Sequence, residues 1–377
     1  MALAGEMKLL VFNAGSSSLK FHLFEAGRAG VENLYIGKLE RVADMRRAVA
    51  TAFAELGPTL AGETVAAVGH RFVHGGDRYF DATVIDRPTL GGLEALSHLA
   101  PLHMPHSLEC YRGAVEVLPE AMQVACFDTA FHRTMPPEAF LYALPERYLL
   151  DKKIRRYGFH GISHQWVTER YAAVRGKAGR VICCHLGNGC SVTAVRDGLS
   201  VDTSMGFTPL EGLIMGTRCG DIDAGAILHL ILREGEDAAK LEMVLNEESG
   251  LLALSGLSND MRDLETAAGE GKAGAKLAIE AFCYRLRKQI GAYFAAMDGV
   301  DALLFTGGIG EHDSLIRAKV CDGLSAMGIR LDAGANNAAK GMEARIGTGG
   351  VEVWVIPTNE ELLIAGETAR LFAEGIH

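Results

Sequence analysis

The sequence predicts an α/β protein that contains two copies of one domain type facing a shared cleft. An apolar strand, a tip of small residues and an alternating return strand occur at residues 9–24, and the same pattern recurs at residues 180–196. Such a pattern is typical of a β-hairpin whose tip carries little side-chain bulk. The chain has 377 residues, which is longer than a single hydrophobic core usually serves, so its length also favours two domains.

Composition narrows the class of protein. Hydrophobic residues make up 49% of the chain and charged residues 22%, as is typical of globular enzymes, and the formal net charge of −10 argues against a nucleic-acid partner. No apolar run approaches the ~20 residues of a membrane span. The start MALAGEMKLL lacks the features of a secretory signal, and the eight cysteines form no CxxC pair. We therefore expect a cytoplasmic protein with reduced, buried thiols, no zinc site and no membrane partner.

The first hairpin has a tip that suits phosphate. Residues 13–18 are small and polar, so backbone N–H groups and hydroxyls can approach phosphate oxygens, and Gly15 lacks the Cβ that would block the approach. Lys20 adds a positive charge on the return strand. The stretch is not a Walker P-loop, because no Gly-Lys-Ser/Thr follows a glycine at the required spacing. An ordinary Gly/Ser turn would explain the same residues.

Two later strands in the first half end at charged residues. After a third strand (33–39) and a helix (43–56), the strand at 65–68 leads to Arg71; after a helix at 108–118, the strand at 122–127 ends at Asp128. Ligands in α/β folds bind at the carboxyl ends of strands, so both residues are candidates for the site. A solvated Arg71, and an Asp128 that only caps the next turn, are the alternatives. Prolines 136 and 137 open a segment to about residue 151 that has the character of a linker, and a helix is predicted at 163–175.

The second half begins with the repeated hairpin, whose tip is residues 187–189, and continues with helices over most of 224–297. Residues 302–320 then predict a strand, a glycine turn and a helix, an arrangement that can hold a nucleotide at the helix N-terminus. Many crossovers without a nucleotide carry glycines there too. A strand at 351–356 precedes a last helix, for which Thr358 and Glu361 fit a capping box, leaving Glu360 without a structural role.

Taken together, ten motifs resemble those of the acetate kinase family of acyl-phosphate-forming kinases, almost from end to end and in the same order. They are NAGSSSLK (13–20), GHRFVHGG (69–76), LAPLH (99–103), FDTAFH (127–132), YGFHG (157–161), HLGNG (185–189), TPLEGLIMGTR (208–218), SNDMRDL (258–264), TGGIGE (306–311) and PTNEEL (357–362). The resemblance implies the actin/hexokinase/sugar-kinase architecture: two RNase H-like α/β domains, each with a mixed five-stranded sheet, around an interdomain cleft. It places the first domain at 1–129 plus 362–377 and the second at 130–361, and it implies a homodimer formed through the second domain.

The activity implied by the resemblance is the reversible, magnesium-dependent, in-line transfer of the γ-phosphoryl group of ATP to acetate. The products are ADP and acetyl phosphate, which serves acetyl-CoA biosynthesis; Mn²⁺ could replace Mg²⁺. A propionate or other short-chain acyl kinase is the alternative within the family, and a sugar or glycerol kinase is the alternative within the superfamily. A nucleotide-driven binding module with no phosphoryl acceptor is the alternative of a different class.

The resemblance also assigns residues to each task. Catalysis is assigned to Arg71, Asp128, His160 and Arg218. Acetate binding is assigned to Arg71, Val73, Leu102, Phe159 and Pro209, and the metal to Asn13 and Glu360. ATP binding is assigned to Lys20, His185, Leu186, Gly187, Asn188, Gly189, Asp260, Met261, Arg262, Gly307, Gly308, Ile309, Gly310 and Glu311.

Four positions depart from the usual pattern of the family: Met104, Ile162, Cys219 and Ala224. None of them removes a charged catalytic group. Met104 is the one that could change how the substrate is oriented, because a flexible thioether near the site can reshape a pocket. The assigned acetate pocket is apolar, and we expect acetate to be preferred, propionate to be poorer and butyrate poor.

Overall fold

The computed structural model describes residues 6–15 and 17–375. It divides the chain into two compact units. The first unit contains the chain up to Arg133 and again from Asn359 onward, and the second unit is Thr134–Thr358. Ser16, at the tip of the first predicted hairpin, lies outside the described residues.

The first unit is built on a mixed sheet with the strand order β3-β2-β1-β4-β6-β5. β1, β2 and β3 pair antiparallel, β4 and β6 continue the sheet parallel to β1, and β5 pairs antiparallel with β6 at the edge. The strands are β1 (Met7–Ala14), β2 (Ser18–Gly27), β3 (Gly30–Glu40), β4 (Val65–Phe72), β5 (Thr83–Val84) and β6 (Met122–Phe127).

The second unit repeats this sheet in the order β9-β8-β7-β10-β12-β11, with the same pattern of strand directions. Its strands are β7 (Arg180–Leu186), β8 (Cys190–Arg196), β9 (Leu199–Thr203), β10 (Ala302–Thr306), β11 (Ala344–Arg345) and β12 (Glu352–Val355). The duplication predicted from the two hairpins is therefore confirmed. Within the described residues each sheet has six strands rather than the expected five, because the two-residue strands β5 and β11 extend one edge.

Helices cover the sheets. In the first unit they are α1 (Met45–Leu60), α2 (Arg87–Ala95), α3 (Met104–Val117) and α15 (Glu360–Ala373), with 3₁₀ helices at Leu96–Leu99 and Ala130–Thr134. In the second unit they are α4 (Pro137–Phe140), α5 (Glu146–Lys152), α6 (Gly161–Arg175), α7 (Ala224–Leu232), α8 (Ala238–Glu247), α9 (Gly250–Ser255), α10 (Met261–Gly269), α11 (Ala273–Ala296), α12 (Gly307–His312), α13 (Ser314–Asp322) and α14 (Ala333–Ala338), with a 3₁₀ helix at Ser325–Met327. Among the described residues, no helix is both long enough and apolar enough to cross a membrane.

Two predictions of irregular structure were wrong. The segment after residue 136 holds the short helices α4 and α5 rather than a linker; Pro137 occupies the start of α4, where the fixed φ of proline suits a helix and its missing N–H costs nothing. The glycines after β10 do not form a separate turn. Gly307–His312 is itself a helix, and only Gly307 has a positive φ, +75°.

The core of the first unit lies on both faces of its sheet. Residues 8–14 of β1 are all buried, because α1 and α3 cover one face and α15 covers the other. The approach of α15 is close: a Cβ on Gly69 of β4 would lie only 2.5 Å from the Thr368 hydroxyl oxygen. The last helix is thus held against the sheet that carries Arg71.

Candidate active site

Three candidate side chains of the first unit lie where its parallel strands end next to each other. Asn13 is near the end of β1, Arg71 near the end of β4, and Asp128 follows β6 directly. The register aligns these ends, since Phe12 pairs with His70 and Phe72 pairs with Phe127. This edge of the sheet is where α/β folds place ligands.

Arg71 and Asp128 form a buried, two-pronged ion pair. Arg71 Nε donates to Asp128 Oδ1 over 3.0 Å and Nη2 donates to Oδ2 over 2.5 Å, and the Asp128 residue is 1% exposed. Burial alone would lower the pKa of Arg71, but the carboxylates of Asp128, Glu360 and Glu361 outweigh it and raise the pKa. Asp128 therefore orients a permanent cation, and its side chain holds Arg71 rather than only capping the next turn.

Asn13 connects this ion pair to the last helix. Its Oδ1 accepts from Arg71 Nη1 over 3.1 Å, and its Nδ2 donates to Glu360 Oε2 over 3.0 Å and to Glu361 Oε1 over 2.9 Å. Lys20 Nζ lies 3.8 Å from Glu361 Oε1. We call Asn13, Arg71, Asp128, Glu360 and Glu361 the first-unit cluster.

The capping box predicted for Thr358 and Glu361 is wrong. The N-cap of α15 is Asn359, whose Oδ1 accepts from the Leu362 N–H over 3.1 Å. The Thr358 hydroxyl instead lies 2.7 Å from the Ser163 hydroxyl. Glu361, which the sequence had assigned to capping, faces Asn13 and is 6% exposed. It is thus a member of the cluster that sequence reasoning missed.

The cluster suits a divalent cation by its chemistry. Its donors are carboxylate oxygens and one amide oxygen, the hard ligands that Mg²⁺ prefers. In the described residues no group of three or more His, Cys, Asp or Glu side chains is arranged so that it could hold a metal ion by itself. Magnesium that binds with nucleotide phosphates commonly uses only one or two protein oxygens, and Asn13 and Glu360 match that requirement.

The residues assigned to acetate binding differ in exposure. In the first unit, Val73 follows β4 and is 8% exposed, whereas Leu102, just before α3, is 47% exposed. Met104 is fully buried at the start of α3. In the second unit, Phe159 is 1% exposed and Pro209 is partly exposed.

In the second unit, histidines surround the tip of the hairpin between β7 and β8. The rings of His160 and His185 stack with centroids 4.4 Å apart. The Ser191 hydroxyl lies 3.0 Å from His160 Nδ1 and 2.7 Å from His164 Nε2, which fixes the His160 ring. A Cβ on Gly189 would lie 3.3 Å from His160 Nε2, so the absence of a side chain keeps this face of the ring accessible.

Arg218 reaches the same hairpin tip. Its Nη1 donates to the Pro209 carbonyl over 3.2 Å and would lie 3.6 Å from a Cβ on Gly189. His160 and Arg218 thus border one glycine, with the Gly187 N–H donating to the Gly189 carbonyl over 3.1 Å to close the turn. A cation and an imidazole beside a tip of small residues form an arrangement that can bind phosphate oxygens.

Next to this tip lies a cavity of about 760 Å³. Seven of the residues assigned to ATP line it: Gly187, Asn188, Asp260, Met261, Arg262, Gly308 and Ile309. The other lining residues were not predicted: Asn259, Glu265, His312, Asp313, Ser314, Leu315 and Lys340. Glu265 lies one helical turn beyond Met261, so helical spacing could have suggested it, whereas Lys340 comes from a loop with no local signal.

The remaining ATP-assigned residues are placed outside the lining. Glu311 Oε1 accepts from the N–H groups of Gly307 (2.9 Å) and Thr358 (3.0 Å), which makes it an anchor of α12. Gly310 is buried at the same helix, and its carbonyl accepts from Arg317. Leu186 is buried at the end of β7, and Lys20 belongs to the first unit.

Two charges in the cavity are held in place by their neighbours. The Arg262 guanidinium folds back on Asp260, with Nε to Oδ1 at 3.0 Å, and the Arg262 side chain is 88% exposed. Burial, and then a hydrogen bond to Asp313, raise the pKa of Glu265 to about 7. The cavity therefore presents the exposed guanidinium of Arg262 and, at Glu265, a carboxyl that is partly protonated near neutral pH.

Comparisons with known proteins show which family this chain resembles. The profile of the acetokinase family matches residues 8–366. Acetate kinase from Dictyoglomus turgidum is 43% identical over 98% of this chain and 99% of its own length, and acetate kinase from Geobacillus kaustophilus is 46% identical over 97% and 99%. The structure of Porphyromonas gingivalis acetate kinase superposes with a TM-score of 0.90 at 38% identity, covering 97% of this chain and 100% of that one. A propionate kinase from Francisella tularensis superposes at 0.87 and 38%, covering 97% and 99%.

These findings show that the protein is a kinase whose two α/β units have the duplicated, RNase H-like fold. More particularly, the chain belongs to the acetokinase family.

Proposed function

We propose that this kinase transfers the γ-phosphoryl group of ATP reversibly to acetate, giving ADP and acetyl phosphate. The observation that carries the proposal is the pair of oriented arginines: Arg71 held by Asp128, and Arg218 held by the Pro209 carbonyl. The guanidinium fork suits both a carboxylate and a phosphoryl group. Membership of the acetokinase family supports acetate as the acceptor.

The reaction requires no strong base. Acetate is a carboxylate at neutral pH, so the nucleophile is already formed, and catalysis must come from alignment and from neutralising charge on the phosphoryl group. In this proposal, Arg71 and Arg218 bind acetate and the phosphoryl group in transit, and His160 donates to its oxygens. Asp128 acts by holding Arg71, because its two carboxylate oxygens are both engaged by that guanidinium.

The nucleotide is assigned to the second unit. The small tip at residues 187–189 would receive the β- and γ-phosphates, because its backbone can approach the oxygens without side-chain obstruction. The cavity lined by Met261 and Ile309 would take the adenosine end. Arg262, which is largely exposed, would be free to exchange Asp260 for ligand contacts.

A magnesium ion would supply positive charge to the β- and γ-phosphate oxygens, and manganese could substitute for it. Asn13 and Glu360 are the residues proposed to hold it, and Glu361 would orient Asn13 by accepting from its Nδ2. The carboxylates of the first-unit cluster outnumber Arg71, so the cluster can accept a second cation without an excess of positive charge.

We also propose that the protein acts as a homodimer in the cytoplasm, with no nucleic-acid or membrane partner. α7 supports the dimer: its sequence is AGAILHLIL, and every residue is exposed or partly exposed, including Leu228 at 55% and Leu232 at 68%. A second copy would bury this face. All eight cysteines are free thiols, which is consistent with a reducing compartment. Light scattering of wild-type protein and of Leu228→Glu tests the dimer, which the variant should weaken.

Hydroxylamine trapping tests the reaction itself. Only an acyl phosphate gives a hydroxamate, so ATP, Mg²⁺ and acetate together should give acetohydroxamate, and omission of any one should abolish it. Propionate should give less product, butyrate little, and glycerol none. ATP consumption with glycerol but without hydroxamate would contradict the proposal, and a higher kcat/KM for propionate than for acetate would favour the other acyl acceptor.

A further inference from the structure

We propose that Arg156 is a positioning residue for the phosphoryl-transfer site: with Glu211 it clamps residues 203–211, and through the Pro209 carbonyl it fixes the guanidinium of Arg218. The inference rests on the proposed function, since it deepens the role assigned there to Arg218. Arg156 does not touch the reacting groups in this account.

Arg156 forms hydrogen bonds with both ends of the segment 203–211. Its Nη1 donates to the carbonyls of Thr203 (3.0 Å), Ser204 (3.1 Å) and Met205 (3.1 Å), where the chain leaves β9. Its Nη2 donates to Glu211 Oε1 over 2.5 Å at the far end of the segment. The side chain is only 17% exposed, so water competes little for these contacts. A lysine, with a single nitrogen, could not bind both ends at once.

The second oxygen of Glu211 continues the clamp. The Tyr142 hydroxyl donates to Glu211 Oε2 and accepts from the Phe207 N–H over 2.9 Å. A Cβ on Gly206 would collide with both the Glu211 carboxylate and the Tyr142 hydroxyl, so the network fills the space beside this glycine. Burial, and then the bond to Glu211, raise the pKa of Tyr142, which keeps its hydroxyl protonated as a donor. The segment is therefore held at its start, middle and end.

Pro209 lies within the clamped segment and is the link to Arg218. Its carbonyl accepts from Arg218 Nη1 over 3.2 Å. The main chain at Arg218 is fixed separately, because its carbonyl accepts from the Met215 N–H and the Gly216 N–H donates to the Asn188 carbonyl over 2.9 Å. Moving Pro209 would thus turn the guanidinium while leaving the hairpin tip in place.

Arg317 provides a matched control within the same unit. It too is a buried arginine that binds carbonyls, those of Gly310, Glu311, Asn336 and Ala339, but it supports the nucleotide cavity. Loss of the hydrogen bonds of Arg156 should affect acetate binding and phosphoryl transfer. Loss of those of Arg317 should affect nucleotide binding. Loss of stability in general would affect both alike.

The experiment compares full-length wild type, Arg156→Lys, Glu211→Gln, Tyr142→Phe and the control Arg317→Lys in the hydroxamate assay. We expect Arg156→Lys to lower kcat ~10- to 100-fold and to raise the KM for acetate several-fold, because misplacement by about 1 Å can cost ~100-fold. The KM for ATP and the Kd for ADP should stay within about twofold. Tyr142→Phe removes the two hydrogen bonds of the hydroxyl but leaves those of Arg156. It should give a smaller loss of the same kind, which keeps the test available if Arg156→Lys does not fold.

A double-mutant cycle with Arg218→Ala decides whether Arg156 acts through Arg218. In the Arg218→Ala background, Arg156→Lys or Tyr142→Phe should lower kcat further by less than about threefold, because the group being positioned is already absent. Additive losses would overturn the inference, as would a folded Arg156→Lys with wild-type kinetics or with equal rises in both KM values. Failure of wild-type protein to form any hydroxamate would instead count against the proposed function.

Discussion

Removing the guanidinium of Arg71 should lower both the free energy of unfolding and the rate of phosphoryl transfer. The two effects have different causes, and a second substitution can distinguish them. Arg71 donates twice to Asp128 and once to Asn13, and its Nε lies 4.0 Å from Glu360 Oε2. Asp128 is 1% exposed, so Arg71→Ala leaves a buried carboxylate without its cation. The same change removes a positive charge that we assign to the transferring phosphoryl group.

The two losses are similar in size, but one is a loss of folding free energy and the other a loss of rate. Breaking a buried ion pair from one side costs about 3–5 kcal/mol of folding free energy, chiefly because the remaining charge is uncompensated. Losing one positioned donor or cation at the reacting group costs about 10²- to 10³-fold in kcat, or roughly 3–4 kcal/mol of transition-state stabilisation. Arg71→Lys should recover only part of the rate, because an ammonium cannot reproduce the two-pronged contact with Asp128.

The assay uses Arg71→Ala, Asp128→Asn and the double variant. The double variant places a neutral amide where the orphaned carboxylate would be, so its free energy of unfolding in urea should exceed that of Arg71→Ala by about 2 kcal/mol or more. Its rate of hydroxamate formation should stay as low as that of Arg71→Ala. Arg133→Ala is the control, because its pair with Asp81 is exposed and should be worth less than about 1 kcal/mol with no effect on rate.

Two results would refute this reasoning. Recovery of wild-type turnover in the double variant would show that the Arg71 cation is not needed at the phosphoryl group. Equal stability of Arg71→Ala and wild type would show that Asp128 does not depend on Arg71 for compensation of its charge.

Three further predictions concern other residues. Ser191→Ala should lower kcat about 10-fold with little change in the KM for ATP, because it releases the His160 ring; Ser191→Thr should restore most of the rate, and a fully active Ser191→Ala would contradict the assignment. Val73→Ala should narrow the gap between acetate and propionate in kcat/KM, since one methylene is worth ~1–3 kcal/mol in an apolar pocket, and an unchanged ratio would remove Val73 from that pocket. Burial lowers the pKa of His70 from 6.5 to about 4, so the unfolded chain binds the proton first as pH falls, and the free energy of unfolding should drop by up to ~3 kcal/mol between about pH 6.5 and 4. Urea titrations should show this drop reduced in His70→Gln, and an identical slope would assign it elsewhere.

The duplicated sheet could be predicted from the sequence because each hairpin repeats a local pattern. The strand at 122–127 was predicted with the same bounds as β6, since a short apolar run between turns has few other solutions. The extra edge strands could not be predicted. β5 and β11 are two residues long, and only their pairing with β6 and β12 makes them strands at all.

The position of Glu361 shows how a shift of the helix N-cap by one residue changes a site. Thr358 and Asn359 are both good N-cap residues, and the local sequence does not distinguish them. Capping by Thr358 would put Glu361 at the position of a capping box. Capping by Asn359 instead places Glu360 and Glu361 together in the first turn of α15, where Asn13 contacts both. The choice depends on the Thr358 hydroxyl, which is already engaged by Ser163.

Equivalent strand ends in the two units carry different chemistry. In the first unit the ends of β1, β4 and β6 carry Asn13, Arg71 and Asp128, whose side chains contact one another. In the second unit the ends of β7 and β10, which correspond to those of β1 and β4, lead instead to Gly187 and Gly307, which leave backbone groups accessible.

At these strand ends we therefore expect the first unit to be sensitive to the removal of side-chain atoms and the second unit to their addition. Arg71→Ala deletes a cation, whereas Gly189→Ala deletes nothing and instead places a methyl group 3.3 Å from the His160 ring, where little space remains. The same methyl would stand beside Arg218, so a single added carbon would crowd both groups that we assign to the phosphoryl oxygens.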